Sequence, residues 1–427
     1  MTRFNATRSM MLGLGGAVLF GLATLGSSAQ TQELQVWKYG SPKAERDYFT
    51  KINEGFPGGK VTWESQDWET RAQGISTATI AGNLPDVLAA DNTVLGKIAE
   101  AGAVLPLDEI AADKVVGWAA NYPKELWELG KYGGKSYGMS TFVDLSPVII
   151  YNAAMLEAAG VQPPRTWSQL RAAAKALNKD GVAGIVFAAS TTTLDTDIIQ
   201  SIIPVNGGRW LDHDGKPAMG GQALVDTFQL VKDLTQYAPQ GIVDANFRDA
   251  LQLFYQGRAA MVITKSFAPI IQTDYEVPAD FPAVMISFPK PDKVTGSFPP
   301  ASFEAHAPFL FLVTSQTDDK ELAVEYLDYW FDPKQHYGWD GSEVKGRVPT
   351  AHAMLRSEGF KQQYPALAAA YEEGTLFDNV VSIPFFPEYP DLRRSFSEAL
   401  QGVVLGVVTP EQAAADVENA TKAAIAK

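Results

Sequence analysis

Leu84-Pro-Asp-Val-Leu-Ala-Ala-Asp-Asn92 holds a short apolar strand, Leu84 to Ala90, running straight into a polar pair suited to opening a helix. Upstream, Glu33-Leu-Gln-Val-Trp-Lys-Tyr39 alternates apolar and polar residues and breaks at Gly40-Ser41-Pro42, which reads as a strand and a turn. Glu45 to Ile52 reads as a helix, and Lys60 to Ser65 alternates again through Val61 and Trp63. Ala72, Ile75, Ala78 and Thr79 form a helical stripe closed by Gly82-Asn83, and after Asn92 another helix runs to Gly102. Strand and helix alternating across short loops predict βαβ units and a mostly parallel sheet.

A second α/β series begins at Val148-Ile-Ile-Tyr151, followed by a helix from Ala153 to Ala159 that Gly160 stops. Thr166-Trp-Ser-Gln169 has capping-box spacing and opens a helix through Leu177. Gly184 to Ala189 reads as a strand, Ser190 to Asp197 as a polar loop, and Gln222 to Leu234 as a helix. Ala259 to Thr264 is a further strand, and Asp292 to Pro300 a connector. Thr409-Pro-Glu-Gln412 combines a capping box with proline at the first helical position.

The chain has 427 residues, more than one hydrophobic core supports, since single cores stop growing at ~250–300 residues. Its net charge is −14, so it has no counterion-release gain to make on phosphates, and nucleic acid is excluded as a partner. With no cysteine there are no disulfides, thiolate metal sites or cysteine nucleophiles. His213, His306, His336 and His352 lack the spacing of a helical zinc pair, and no nucleotide-binding or serine-hydrolase motif is present. No metal, no cofactor and no catalytic residue is expected.

Arg3 and Arg8 precede an acid-free run from Met10 to Gly26, and Ser27-Ser28-Ala29 supplies small residues for cleavage after Ala29. These are the parts of a secretory signal peptide over residues 1–29, so a soluble periplasmic product is expected.

Aromatic, acidic and amide residues cluster in loops that follow strands, where open α/β sheets bind ligands. The candidates are Tyr39, Ser41, Gln66, Asp67, Asp91, Asn92, Asp144, Thr191, Gly208, Trp210, Phe267, Glu304, His306, Trp339, Arg347 and Phe386. This mixture suits sugars: aromatic faces stack on C–H surfaces, while carboxylates, amides and arginine satisfy the ring hydroxyls. Trp37, Trp63, Trp118, Trp127 and Trp330 follow apolar periodicities and read as core. Paired carboxylates among aromatics also suit a glycoside hydrolase. Arg71, Arg209 and Arg347 would suit an anionic cargo, because a guanidinium fork pairs with such groups.

Several motifs, in order, resemble those of extracellular solute-binding proteins that serve ABC importers. They are Ala81-Gly-Asn-Leu-Pro-Asp-Val-Leu88, Gly134-Lys-Ser-Tyr-Gly-Met139 with Ile150-Tyr-Asn152, and Pro164-Arg-Thr-Trp167. Phe254-Tyr-Gln-Gly-Arg-Ala-Ala-Met261 and Gly346-Arg-Val-Pro349 continue the series, and Ser140 stands where proline is usual. The pattern is similar to the carbohydrate-binding branch typified by maltose-binding protein. The resemblance implies a two-lobed α/β periplasmic-binding-protein fold, each lobe a mostly parallel sheet flanked by helices, joined by a multi-crossing hinge. It implies lobes at 30–142 plus 304–332 and at 147–303 plus 338–427, with crossings near Phe142 to Pro147, Phe303 to Pro308 and Tyr329 to Gly338. It further implies a monomer that captures a mono- or small oligosaccharide between the lobes and hands it to a membrane permease. Asp91 would then be an acidic sugar ligand, and Phe267 and Phe385 or Phe386 stacking aromatics. A polyol, a glycerophosphodiester or an anionic sugar derivative is the alternative cargo.

Material exported by a bacterial host should begin at Gln30, within a residue or two, when its N-terminus is sequenced. An intact Met1 on membrane-embedded protein would refute the signal peptide.

Overall fold

The computed structural model describes residues 33–40, 43–66, 70–212, 218–275, 277–278, 280–340, 346–382 and 389–425. The expected signal peptide therefore lies outside the described residues. Among those described, no helix is long and apolar enough to cross a membrane.

The first strands and helices follow the sequence reading closely. They are β1 (Glu33–Tyr39), α1 (Lys43–Glu54), β2 (Lys60–Gln66), α2 (Arg71–Ala81), β3 (Val87–Ala90) and α3 (Asn92–Glu100). Gly82 ends α2 at φ +69°, a left-handed conformation that glycine adopts without a Cβ penalty. A hairpin of β4 (Lys131–Tyr132) and β5 (Lys135–Ser136) precedes β6 (Phe142–Ser146) and β7 (Val148–Asn152). Then come β8 (Val186–Phe187), β9 (Met261–Thr264), β10 (Ala283–Ser287), β11 (Glu304–His306), β12 (Leu310–Val313) and β13 (Val348–Pro349).

Two four-stranded sheets result, ordered β12-β3-β1-β2 and β10-β7-β9-β8. In the first, β1 pairs parallel with β2 and β3, while β12 joins β3 antiparallel. In the second, β7 is antiparallel to both β9 and β10, and only β8 and β9 run parallel. The first sheet is thus mostly parallel, as expected, while the second is mixed. β10 and β12 arrive from distant sequence, and alternation along the chain says nothing about the direction of a late-arriving strand. A three-stranded sheet, β11-β6-β13, links the two. β6 runs on into β7 of the second sheet, and β11 runs on into β12 of the first.

Helix termini follow the sequence signals. Thr409 and Gln412 form the reciprocal box, with Gln412 N–H donating to Thr409 Oγ1 at 3.2 Å and Thr409 N–H donating to Gln412 Oε1 at 3.0 Å. At the other box, Gln169 N–H donates to Thr166 Oγ1, but Gln169 Oε1 accepts from Arg165 N–H, one residue earlier than expected. The segment read as a polar loop from Ser190 to Asp197 is largely helical: a helix spans Thr193–Gln200 with Thr192 as its cap. Thr192-x-x-Asp195 carries the capping spacing that announces it.

Of the tryptophans read as core, Trp118, Trp127 and Trp330 are buried, while Trp37 and Trp63 are half-buried against the core's edge. Trp330 is fully buried and stacks on Phe311 and Phe49, with ring centroids 4.7 and 4.8 Å apart. Each such pair contributes about 0.5–1.5 kcal/mol beyond area burial. Trp118 is buried against Phe331 and donates its indole N–H to Asp328 Oδ1 at 2.7 Å.

A buried ion network ties the linking sheet to the first sheet. Arg347, beside Val348 of β13, donates from Nη1 to Asp144 Oδ1 on β6 at 2.6 Å and from Nη2 to Glu45 Oε2 on α1 at 2.8 Å. Lys38 of β1 pairs with Glu45 as well and sits 3.4 Å from the Phe309 ring centre. Burial alone would raise the Glu45 carboxyl, but Arg347 and Lys38 hold it below the usual carboxylate range.

Glu45→Ala should therefore cost about 3–5 kcal/mol in urea unfolding, because it leaves buried cations uncompensated. Lys43→Ala, which breaks the exposed pair with Asp47, should cost less than ~1 kcal/mol. Equal costs would mean that the network is not structural.

Candidate functional site

The linking sheet brings the sequence candidates together. Register pairs Glu304 with Ser146 and His306 with Asp144, so Glu304 and His306, two residues apart, lie on one side of β11. Ser146 Oγ lies 2.7 Å from Ser201 Oγ, which sets the helix Thr193–Gln200 of the second lobe beside β6.

On the first-lobe side stands Asp91, fully buried at the start of α3. It accepts from Thr93 N–H at 3.0 Å, from the Thr93 hydroxyl and from Arg71 Nε at 2.6 Å, and it lies 3.8 Å from His306 Nε2. Burial would raise its carboxyl, yet His306, Arg71 and Thr93 hold it well below the usual range. Asp91 thus anchors Arg71 and His306 beside the linking sheet. Asn92 exchanges two hydrogen bonds of 3.0 Å with the Ala307 backbone and staples α3 to the segment after β11.

On the second-lobe side, Asp197 accepts from Gln200 Nε2 at 3.1 Å and from Tyr389 Oη at 3.4 Å. The Tyr389 ring packs edge-on against Trp210, centroids 5.7 Å apart. Trp210 and Glu304 line a pocket of about 70 Å³ together with Ile203, Pro204, Arg209, Leu211, Val381 and Ser382. Lys265, just after β9, is buried nearby and interacts electrostatically with both Asp197 and Glu304.

Three largely buried residues here have polar groups that the described protein does not hydrogen-bond. Glu304 is 4% exposed and has no hydrogen-bond or ion-pair partner among the described residues. The same is true of the Lys265 ammonium. Gln200 Oε1 is buried with nothing donating to it. Burial, opposed by Lys265 and aided by Asp197, pushes the Glu304 carboxyl up to about 8. Between its ordinary value and about 8, folded protein keeps a proton that unfolded chain releases, so Glu304 lowers stability as pH rises through that window.

The remaining candidates are spread more widely. Tyr39 is buried at the end of β1, and Gln66, ending β2, donates to Glu64 at 2.9 Å. Phe267 is half-buried, its ring 5.2 Å from that of Phe247 and 5.5 Å from the Arg347 guanidinium carbon. Asp144 and Arg347 belong to the buried network. Thr191 is exposed ahead of the second-lobe helix, and Gly208 packs so closely that a Cβ would lie 2.5 Å from Ile203 Cγ2. Ser41, Asp67, Phe385 and Phe386 lie outside the described residues, as does the side chain of Trp339. Asp197, Gln200 and Tyr389 were missed. The first two sit on the helix read as loop, and Tyr389 follows no strand.

The chain is similar to known binding proteins. The diacetylchitobiose binding protein DasA of Streptomyces coelicolor is 23% identical over 403 residues, covering 92% of this chain and 89% of its own. Maltose-bound MalE3 of T. maritima superposes with a TM-score of 0.74 at 19% identity, covering 91% of this chain and 99% of that one. A ribitol-bound ABC transporter solute-binding protein of Agrobacterium radiobacter gives 0.70 at 20% identity, covering 92% and 98%. These likenesses establish a two-lobed fold shared with binding proteins. The family model for bacterial extracellular solute-binding proteins matches residues 39–337, and the chain belongs to that family.

Proposed function

We propose that the protein captures a small carbohydrate or polyol between its lobes and delivers it to an ABC permease without altering it. The observation carrying this reading is a pocket lined by Glu304 and Trp210, with the Glu304 carboxyl free of protein hydrogen bonds and Gln200 Oε1 buried nearby without a donor. A buried acceptor such as Gln200 Oε1 costs about 1–3 kcal/mol unless something bonds to it. A polyhydroxyl ligand supplies those bonds, and the tryptophan supplies a stacking face. DasA, MalE3 and the ribitol-bound protein, by their names, take ligands of this class.

In this reading the lobes are 30–142 plus 304–332 and 147–303 plus 338–427, working as a monomer after export and removal of residues 1–29. The hinge comprises β6 and β11; at the third passage Tyr48 of α1 holds Gln335 and Gly338 by hydrogen bonds of 3.0 and 2.8 Å, so the first lobe reaches Gly338 and the second resumes beyond it. Asp91 acts by positioning Arg71 and His306. Asp144 and Arg347 act by holding the hinge strands. A ligand touching both lobes binds the closed state more tightly, and only that difference can shift the population toward closure.

A thermal-shift panel of neutral sugars and polyols should yield a ligand that stabilises the chain by ~2.7 kcal/mol at a hundredfold excess over Kd. Chromatography should return it unaltered, and small-angle scattering should show a smaller radius of gyration. Multiple-turnover hydrolysis would overturn the binding assignment. With that ligand, Gln200→Ala and Trp210→Ala should each weaken binding by about 1–3 kcal/mol in calorimetry, whereas Trp118→Phe should not. Unchanged affinity in both alanine variants would move the site elsewhere.

A further inference from the structure

The arginines suited to a charged cargo differ in what neutralises them. Arg71 donates to Asp91, and Arg347 is shared between Glu45 and Asp144, so carboxylates already balance both. Arg209 is different. Its Nη1 donates to the Gly208 carbonyl at 2.7 Å and its Nη2 to the Pro299 carbonyl at 2.9 Å, and its guanidinium carbon lies 5.6 Å from the Phe298 ring centre. Each of these partners is uncharged. Half-buried, the guanidinium is shifted down from its usual value by lost solvation, with no carboxylate opposing the shift.

The backbone around Arg209 is pinned, so the cation is in place before a ligand arrives. Asn206, fully buried, donates to Thr295 Oγ1 at 2.8 Å and accepts from Thr295 N–H at 3.1 Å. Phe298 N–H donates to the Gly207 carbonyl at 3.0 Å, and Gly207, at φ +76°, has no room for a Cβ beside the Phe298 carbonyl. Arg209 lines the pocket with Trp210 and Glu304. A long cationic side chain held this way loses little further freedom when an anion binds to it.

The carboxyl in the same pocket does not oppose an anion. Glu304 is buried and held protonated at neutral pH; Lys265, Asp197 and Tyr389 are the titratable groups that face it, and His306 lies two residues along its strand. A protonated carboxyl donates a hydrogen bond. Beyond the pocket, Asp197 faces three basic side chains, Lys265, Arg393 and His306. Thr264 Oγ1 is a further buried hydroxyl without a partner.

We infer that Arg209, with Glu304 beside it in the pocket, forms a subsite for the carboxylate or phosphate of an acidic sugar. The inference rests on the carbohydrate reading above and names the charge class within it; neutral parents enter the same cleft with lower affinity. After serving two carbonyls, the guanidinium keeps further N–H groups in the planar fork that pairs with an oxyanion. A pocket of about 70 Å³ suits one such group, so the contact fixes one end of the ligand.

The test measures calorimetric binding by the full chain at pH 7 to glucose, galactose and mannose, each beside its uronate and its 6-phosphate. The best acidic member should bind at least about tenfold more tightly than its neutral parent, the ratio expected from one charge-assisted hydrogen bond. Arg209→Gln should narrow that ratio, and Arg209→Lys, which restores the charge, should recover part of it. Raising the pH from 7 to 9 should lower the ratio for uronates in the unaltered chain, because Glu304 ionises through about 8 and then repels the ligand. Glu304→Gln cannot ionise and should hold the ratio across that range. Should the Arg209 variants fail to fold, the pH series on the unaltered chain carries the comparison. Neutral parents binding as tightly as their acidic counterparts, a ratio unmoved in folded Arg209→Gln, or an unaltered chain whose ratio holds to pH 9 would overturn the inference while leaving a carbohydrate cleft in place. Binding by no member of the panel would overturn the carbohydrate reading, and the inference with it.

Discussion

Arg347 is buried with its guanidinium shared between Glu45 of the first lobe and Asp144 of the linking sheet. Its cation also lies 4.5 Å from the Phe142 ring centre and 5.5 Å from that of Phe267. A buried guanidinium persists only where both its charge and its donors are met, so β6, β13 and α1 must keep a fixed relation. The linking sheet inherits its position from that contact. So does β11, which pairs with β6 and carries Glu304 and His306 into the cleft.

Two buried polar clusters of opposite design therefore lie on one three-stranded sheet. Around Arg347 the charges are matched and bonded, which suits a structural role. Around Glu304 polar groups are left without protein hydrogen bonds, which suits a ligand that supplies what is missing. Asp91 belongs with the first kind although it borders the second: its carboxylate is engaged by Thr93, Arg71 and His306. A buried carboxylate is informative only once its partners are counted.

The first lobe was legible because its strands and helices are consecutive, as the run from β1 to α3 illustrates. Local periodicity and the glycine and asparagine punctuation at Gly82-Asn83 carry that information. The pairing of β12 with β3 was not legible, since no local pattern records which distant strand completes an edge. The candidate site divides along the same line. Glu304, His306, Asp91 and Trp210 were found by their place after strands or within polar loops. Asp197 and Gln200 were hidden because a short capped helix of mixed polarity reads as a loop. Sequence also could not separate Arg347 as a buried joint from Arg347 as a ligand contact, because that distinction depends on Glu45 and Asp144, which are far away in the chain.

The route of β12 has a consequence for how the chain acquires its shape. Its residues Leu310 to Val313 pair with Ala90 to Val87, so the edge of β3 stays open until the ribosome has passed residue 313. Until then a nascent first lobe leaves one edge of this strand of four buried, apolar residues unpaired. Contacts this distant in sequence form slowly, because a long loop must close before they contribute. A chain that completes its first sheet only past residue 313 leaves that lobe unfinished for most of its synthesis.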